Sequence, residues 1–404
     1  MTDTVASGPA RPLALDAVLA HELEELRLHG LVRGMRAVSR RGGALLETEQ
    51  GTAVDFASND YLGLANDPRL AAAAVQAIRD HGTGAAASRL ITGTNPEHAA
   101  LERELAEFFD VERALSFSSG YAANVGIIGA LVGRGDAIFS DALNHASLID
   151  GARASRAEIF VYPHAEPAAL ERLLAVHRTA YRRALIITDG MFSMDGDTAP
   201  LADIVDLARR YETWSYVDDA HAAGATGPDG RGTVAAAALT SEVDVTVGTL
   251  GKAFGAAGAF VLGSETLYAY LLNRARSFVF STAPMPAQAA AAREGVRIAR
   301  GEPERRTRLA ENARALRAGL WARGVHCAGD AASHILPVVI GSTERTLAVG
   351  SALAERGFAV AAVRPPTVPP GSSRVRIAVS AAHSAEQIAA LTQALAESMP
   401  AHLI

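Results

Sequence analysis

With 404 residues, 49% of them hydrophobic, the chain can bury a large core, and its length favours one big domain plus a smaller one. A net charge of −6 offers no basic field, which argues against nucleic acid or an anionic membrane as partner. The single cysteine, Cys327, excludes an internal disulfide and fits a reducing compartment.

The N-terminal stretch MTDTVASGPARPLALD lacks a basic segment followed by an apolar run, so no secretory signal is read there. Runs such as AGAFVL (257–262) are too short to span a bilayer, and a soluble cytoplasmic protein is expected. Residues 15–40 read as a helical arm ending near Arg40-Arg41-Gly42-Gly43. Beyond it, short β-rich runs alternate with helical ones, the signature of βαβ units and a mainly parallel sheet. Strands are predicted at 114–119, 136–141, 158–163, 184–189, 214–219, 243–249 and 259–263. Asn95-Pro96 opens a helix over 97–109, with Asn as cap and proline at the first helical position. After about residue 290 the pattern predicts a long Arg- and Ala-rich helix, then strands at 334–340, 358–364 and 373–380 and a last helix over 384–398. The expected organisation is an N-terminal helical arm (1–50), a large α/β domain (51–290) and a small C-terminal α+β domain (291–404).

Unusual polar residues fall at the carboxyl ends of the predicted strands, where open α/β sheets bind ligands. Strand 114–119 runs into Ser119-Gly120-Tyr121 at the start of a helix, an anion-binding geometry. Strand 136–141 is followed by Asn144-His145, 184–189 by Phe192-Ser193-Met194-Asp195, 214–219 by Asp218-Asp219-Ala220-His221, and 243–249 by Thr249 and Gly251-Lys252. Each has a plainer reading alone. Ser119-Gly120 makes an ordinary turn, a lone His145 is more often structural, and paired acids at a strand end more often cap a helix or bind Mg²⁺. Their convergence on one crevice is what suits pyridoxal phosphate (PLP). The phosphate needs backbone N–H groups and hydroxyls, the pyridine nitrogen needs an anion, and the aldehyde needs an amine.

Lysine plus arginine total 38, and Lys252 is the only lysine. Where guanidinium serves nearly everywhere, the exception marks a place where it cannot: a desolvated Lys becomes a neutral amine, and Arg does not. A surface Lys left by chance is the alternative, and the surrounding TLGKAFG (249–255) argues against it. Ala253 after Gly251-Lys252 rules out the usual P-loop, and no G-x-G-x-x-G follows the first strand of a βαβ unit. No Cys/His set has zinc spacing, and no metal is expected.

The chain resembles the α-oxoamine synthases, PLP enzymes that condense an amino acid with an acyl thioester and release CO₂. The resemblance runs from about residue 20 to 398. It rests on FASNDYLGL (56–64), GTGAAASRLITG (82–93), H-x-x-LE (98–102), FSSGYAAN (117–124), NHASLIDG (144–151), DGMFSMDGD (189–197), VDDAHAAGATGPDGRG (217–232), TLGKAFG (249–255) and STAPMP (281–286). It implies PLP fold type I, aspartate-aminotransferase-like. RPPTVPPGSSRVRI (364–377) and the VDDAH wording look most like the branch that joins L-alanine to a pimeloyl thioester, either pimeloyl-CoA or pimeloyl carrier protein.

Carried over by position, the resemblance gives Lys252 the Schiff base and the later acid/base role. Asp218 pairs with the pyridinium nitrogen, His221 and Ser193 meet the ring oxygen, and His145 stacks on the ring. Ser119, Gly120, Tyr121 and Thr249 surround the phosphate. Ser281 and Thr282 reach it from a neighbouring subunit, which implies a homodimer with a shared site. Arg376 takes the amino-acid carboxylate, and Arg33, Asn59, Arg364 and Thr367 are expected to contact substrate. GAAASR (84–89) departs from the glycines or serine more usual there, so acyl-length preference could differ, and Asp219 replaces a common Glu. A transaminase on the same fold, or a silent PLP-fold binding subunit, are the rival readings, beside another α-oxoamine synthase that takes glycine or serine with a different acyl-CoA. The synthase-specific blocks at 56–64 and 364–377 speak against the first and the retained lysine against the second.

Overall fold

The computed structural model describes residues 14–399 apart from 36 and 50, with the side chains of 40 and 41 also left aside. The stretch 1–13, where no secretory signal was read, and residues 400–404 lie outside it.

Three short strands near the N-terminus, β1 (Val38–Gly42), β2 (Leu45–Thr48) and β3 (Gly51–Asp55), pair antiparallel in sequence. Seven mostly apolar strands form the central sheet: β4 (Arg113–Phe117), β5 (Ala137–Asp141), β6 (Glu158–Tyr162), β7 (Ala184–Asp189), β8 (Trp214–Asp218), β9 (Val245–Thr249) and β10 (Ala259–Gly263). Their order is β4-β10-β9-β8-β7-β5-β6. β10 runs antiparallel to both neighbours and the other six run parallel. Every residue of β5 and β7 is buried, as helices on both faces of a parallel sheet require. The carboxyl ends of β4, β5, β7, β8 and β9 therefore share one edge.

The C-terminal region adds β11 (Ile335–Gly341), β12 (Phe358–Ala359), β13 (Ala361–Val363) and β14 (Ser373–Ala378). β14 lies between β11 and β13, antiparallel to both, while β12 pairs in parallel with β3. One hydrophobic cluster runs from Phe56 and Tyr61 through Phe254 to Val375 and Leu395, so the strap after β3, the loop after Lys252 and the C-terminal layer share a core.

Three expectations need correction. The N-terminal helix spans only Leu15–Leu28; Gly30 turns the chain with a positive φ, and Val38–Gly42, Leu45–Thr48 and Gly51–Asp55 are strands. Those strands are short and their outward positions exposed, so they lack the apolar alternation that would have announced them. The long helix after 290 is two, Pro286–Gly301 and Pro303–Trp321, broken where Pro303 has no N–H to continue the ladder. The predicted strand at 358–364 splits at Val360, its first part pairing with β3 and its second with β14.

Candidate active site

Strand ends place the polar groups. Ser119 caps the helix Gly120–Leu131, its Oγ accepting from Ala122 N at 3.1 Å. Among the described residues, its chain neighbours and own helix backbone aside, no heavy atom lies within 4 Å of where a Cβ on Gly120 would stand, which leaves room for an anion at that helix N-terminus. Tyr121 is exposed and donates its hydroxyl to Asp150 at 2.5 Å. Thr249 donates to Gly258 O at 3.0 Å and accepts from Gly251 N at 3.2 Å, which shapes the turn into Lys252.

Asp218, the last residue of β8, is buried, with Oδ1 receiving Ala220 N at 3.0 Å and Oδ2 receiving Asn124 Nδ2 at 2.6 Å. Asn124 Nδ2 also donates to Ser147 Oγ at 2.8 Å, and Ser147 Oγ lies 2.7 Å from His145 Nδ1. A single network thus joins Asp218 to His145, whose backbone N donates to Asp189 Oδ2 at 2.7 Å. Asp189 stands beside Asp218 in the β7–β8 register, and burial together with that neighbour pushes its carboxyl well above the usual range. Asp219 turns away to take Thr233 N at 2.8 Å and Thr233 Oγ1 at 2.6 Å, and burial lifts it to about 6.

Lys252 is drawn down to about 8 chiefly by burial, with Asp218 opposing the shift and Arg376 adding to it. His221 lies 2.6 Å from Tyr61 Oη through Nδ1; burial, then the charges of Lys252 and Arg376, hold it well below the usual histidine range. Gly255, at φ +66°, brings the loop after Lys252 so close to the Leu64 backbone that a Cβ would stand 2.5 Å from it. That contact locks TLGKAFG onto the strap carrying Asn59 and Tyr61. Arg376 on β14 donates through Nε to Ser193 O at 2.6 Å and through Nη2 to Asn59 Oδ1 at 3.1 Å.

Lys252, Asp218, His221, His145, Ser193, Asn59 and Arg376 are thus linked by hydrogen bonds or by mutual electrostatic influence. Arg33, Arg364 and Thr367 form a separate group. Arg33 Nη2 donates to Thr367 Oγ1 at 3.1 Å, and Arg364 Nη2 to Val32 O at 2.9 Å. Ser281 and Thr282 stand apart as well. Thr282 bridges to Ser88, and Ala283 N donates to Ala87 O at 2.9 Å. Asn124, Ser147, Tyr61 and Asp189 escaped the sequence reading. Asn124 had a usable signal, since an amide inside the apolar run AANVGIIGAL must find a partner when buried.

A family model described as aminotransferase class I and II matches residues 52–395. The chain belongs to that family. Within it, 8-amino-7-oxononanoate synthase of Anaeromyxobacter dehalogenans (strain 2CP-1) is 49% identical over 387 residues, 96% of this chain and 96% of that protein. A solved serine palmitoyltransferase of Sphingomonas wittichii superposes with a TM-score of 0.90 at 31% identity, covering 96% of this chain and 98% of its own. A structure described as SPT with PLP internal aldimine gives 0.89 at 30% identity, covering 95% and 96%. The expected α-oxoamine synthase branch and aspartate-aminotransferase-like fold are borne out. Among the described residues no helix is long and apolar enough to cross a membrane.

Proposed function

We propose that this chain is a cytoplasmic acyltransferase of biotin biosynthesis. It condenses L-alanine with a pimeloyl thioester, on CoA or carrier protein, to give 8-amino-7-oxononanoate, CO₂ and free thiol. The observation that carries the reading is the lone Lys252, a desolvated amine held near 8 within the electrostatic reach of buried Asp218. Relatives named 8-amino-7-oxononanoate synthase at 46–49% identity over more than nine-tenths of this chain support alanine and a pimeloyl thioester as substrates.

The residues fit PLP. Ser119, Gly120, Tyr121 and Thr249 would receive the phosphate at the open N-terminus of the helix Gly120–Leu131. His145 presents an exposed imidazole for the ring face, Asp218 a buried carboxylate for the ring nitrogen, His221 and Ser193 partners for the ring oxygen, and Lys252 the amine. When bound, PLP supplies an electron sink for a carbon beside the amino nitrogen. Asn124 keeps the Asp218 carboxylate oriented, and that negative charge would hold a proton on the ring nitrogen. Arg376, already tied to Ser193 and Asn59, has donors left for the amino-acid carboxylate. Lys252, as a free amine, would take the Cα proton on its Nζ, a role that typically contributes on the order of 10²–10⁴-fold. Cα would then bond to the thioester carbonyl carbon as the thiolate leaves and takes a proton from solvent, and Lys252 would return the Cα proton as the carboxylate departs as CO₂.

Arg33, Arg364 and Thr367 are proposed to meet the acyl donor, and the GAAASR segment to influence acyl length. Ser281 and Thr282 are proposed to serve the partner's phosphate in a homodimer. Exposed Leu90, Ile91, Phe280 and Met285 near the Ser88–Thr282 bridge support that apolar contact. The 291–404 segment is proposed as the small domain. The deciding experiment offers protein, PLP and L-alanine a panel of acyl thioesters, with mass spectrometry of the aminoketone and assay of released thiol. Amino transfer without thiol release would instead mark a transaminase.

A further inference from the structure

Between Arg376 and His221 runs a short chain of hydrogen bonds whose protons can be placed. Arg376 Nη2 donates to Asn59 Oδ1 at 3.1 Å, and a guanidinium has only donors, so that atom is an acceptor. Tyr61 Oη stands 3.1 Å from the same oxygen, which has no hydrogen to give; the phenol O–H therefore points at Asn59. Tyr61 has no second proton. Its 2.6 Å contact with His221 Nδ1 then requires the imidazole to donate. A neutral imidazole carries one N–H, so Nε2 is left a bare acceptor.

The surroundings support both protonation states. Burial raises the Tyr61 phenol to about 12, so it keeps its proton. His221 faces Tyr61, Lys252, Arg376, His334 and His145, and desolvation with those charges keeps it neutral. Tyr61 is fully buried, with the His334 ring edge-on at 4.1 Å between centroids, so its hydroxyl has little freedom to seek another partner.

We infer that Tyr61 is a positioning residue that, braced through Asn59 by Arg376, locks His221 in its Nδ1–H form and leaves Nε2 to accept a hydrogen bond from the cofactor's ring hydroxyl. The inference rests on the PLP reading. A bare Nε2 favours the ring oxygen as hydroxyl over phenolate, and the two forms absorb at different wavelengths. In Tyr61→Phe the Nδ1 proton loses its acceptor and can move to Nε2, where it would stabilise the phenolate.

The test is a pH titration of the visible absorbance of holoenzyme, native and Tyr61→Phe. The variant midpoint is expected to fall by about half a unit to one unit, the size of one hydrogen bond. An unchanged or higher midpoint overturns the inference. Long-range ¹H–¹⁵N spectra of native holoenzyme labelled at histidine, assigned by the signals lost in His221→Gln, give a check independent of the Tyr61 variant. They are expected to show Nδ1 protonated and Nε2 bare, and the reverse pattern overturns it. Native protein that takes up no PLP at all would refute the cofactor reading instead, and this inference with it.

Discussion

Asn124 and Asp218 meet at 2.6 Å, the amide Nδ2 donating to carboxylate Oδ2 across the gap between the helix Gly120–Leu131 and the end of β8. The asparagine is itself pinned, since its carbonyl accepts from Tyr216 Oη at 2.6 Å and its Nδ2 also reaches Ser147 at 2.8 Å. The buried carboxylate proposed to face the cofactor nitrogen is thus oriented by a neutral amide and, among the described residues, makes no ion pair in direct contact.

Replacing that amide should loosen the cofactor before it unfolds the protein. A hydrogen bond to a charged group contributes about 1.5–3 kcal/mol, so Asn124→Ala is expected to weaken PLP binding roughly tenfold to a hundredfold. Absorbance titration with PLP, alongside thermal melting, measures this. Native affinity in the variant would show that Asp218 holds its orientation without Asn124.

Lys252→Arg keeps a positive charge and removes the only amine side chain in the sequence. The variant is expected to lose the cofactor's visible absorbance and at least about a hundredfold in rate, because a guanidinium neither attacks carbonyls nor exchanges protons near neutral pH. Normal turnover would sink the assignment.

How far this site could be read in advance depends on what kind of signal each residue left. Lys252 stood out by scarcity, and Asp218 and His221 by position at a strand end, because the strongly apolar β7, β8 and β10 have unambiguous ends. Tyr61 left less, since a tyrosine packed in the core looks structural until its partner is known, and Asn124 showed only as an amide inside an apolar run. The β3–β12 pairing was invisible because a two-residue strand has no periodicity to detect.

Arg376→Lys should separate binding from chemistry. Lysine retains a charge but not the fork that holds Ser193 O and Asn59 Oδ1 and is proposed to take the carboxylate. KM for L-alanine is expected to rise about tenfold or more while KM for the acyl thioester stays near its native value. Equal losses on both substrates would move Arg376 out of the carboxylate role.

His164 gives a pH signature away from the chemistry. Its Nδ1 lies 3.0 Å from Asp141 Oδ1 and its Nε2 2.8 Å from Asp197 Oδ2, tying the loop that carries Ser193 to the end of β5. Burial works against the charged ring, but hydrogen bonds to the two carboxylates prevail and raise it to about 10. A group whose folded value exceeds its unfolded one stabilises fully below the unfolded value, near 6.5, and loses that contribution as pH climbs to about 10. His164→Gln should therefore cost on the order of 2–4 kcal/mol at pH 6, after allowance for solvent screening, and much less at pH 10.5. Denaturant melts at both pH values check it, and a pH-independent loss would mean that the imidazole works there by packing alone.

The parallel pairing of β12 with β3, backed by Val54 N to Gly357 O and Phe56 N to Ala359 O at 2.8 Å each, bears on synthesis as well as on the finished structure. The strap bearing Asn59 and Tyr61 leaves the ribosome early, yet its anchoring strand is made some 300 residues later. At roughly 5–20 residues per second that is a wait of about 15–60 s. Through that interval β3 presents an unpaired edge, and the nascent chain holds Lys252 long before it can hold the hydrogen-bonded route to Arg376. The enzyme cannot become active by halves during translation; its site closes only when the last strands arrive.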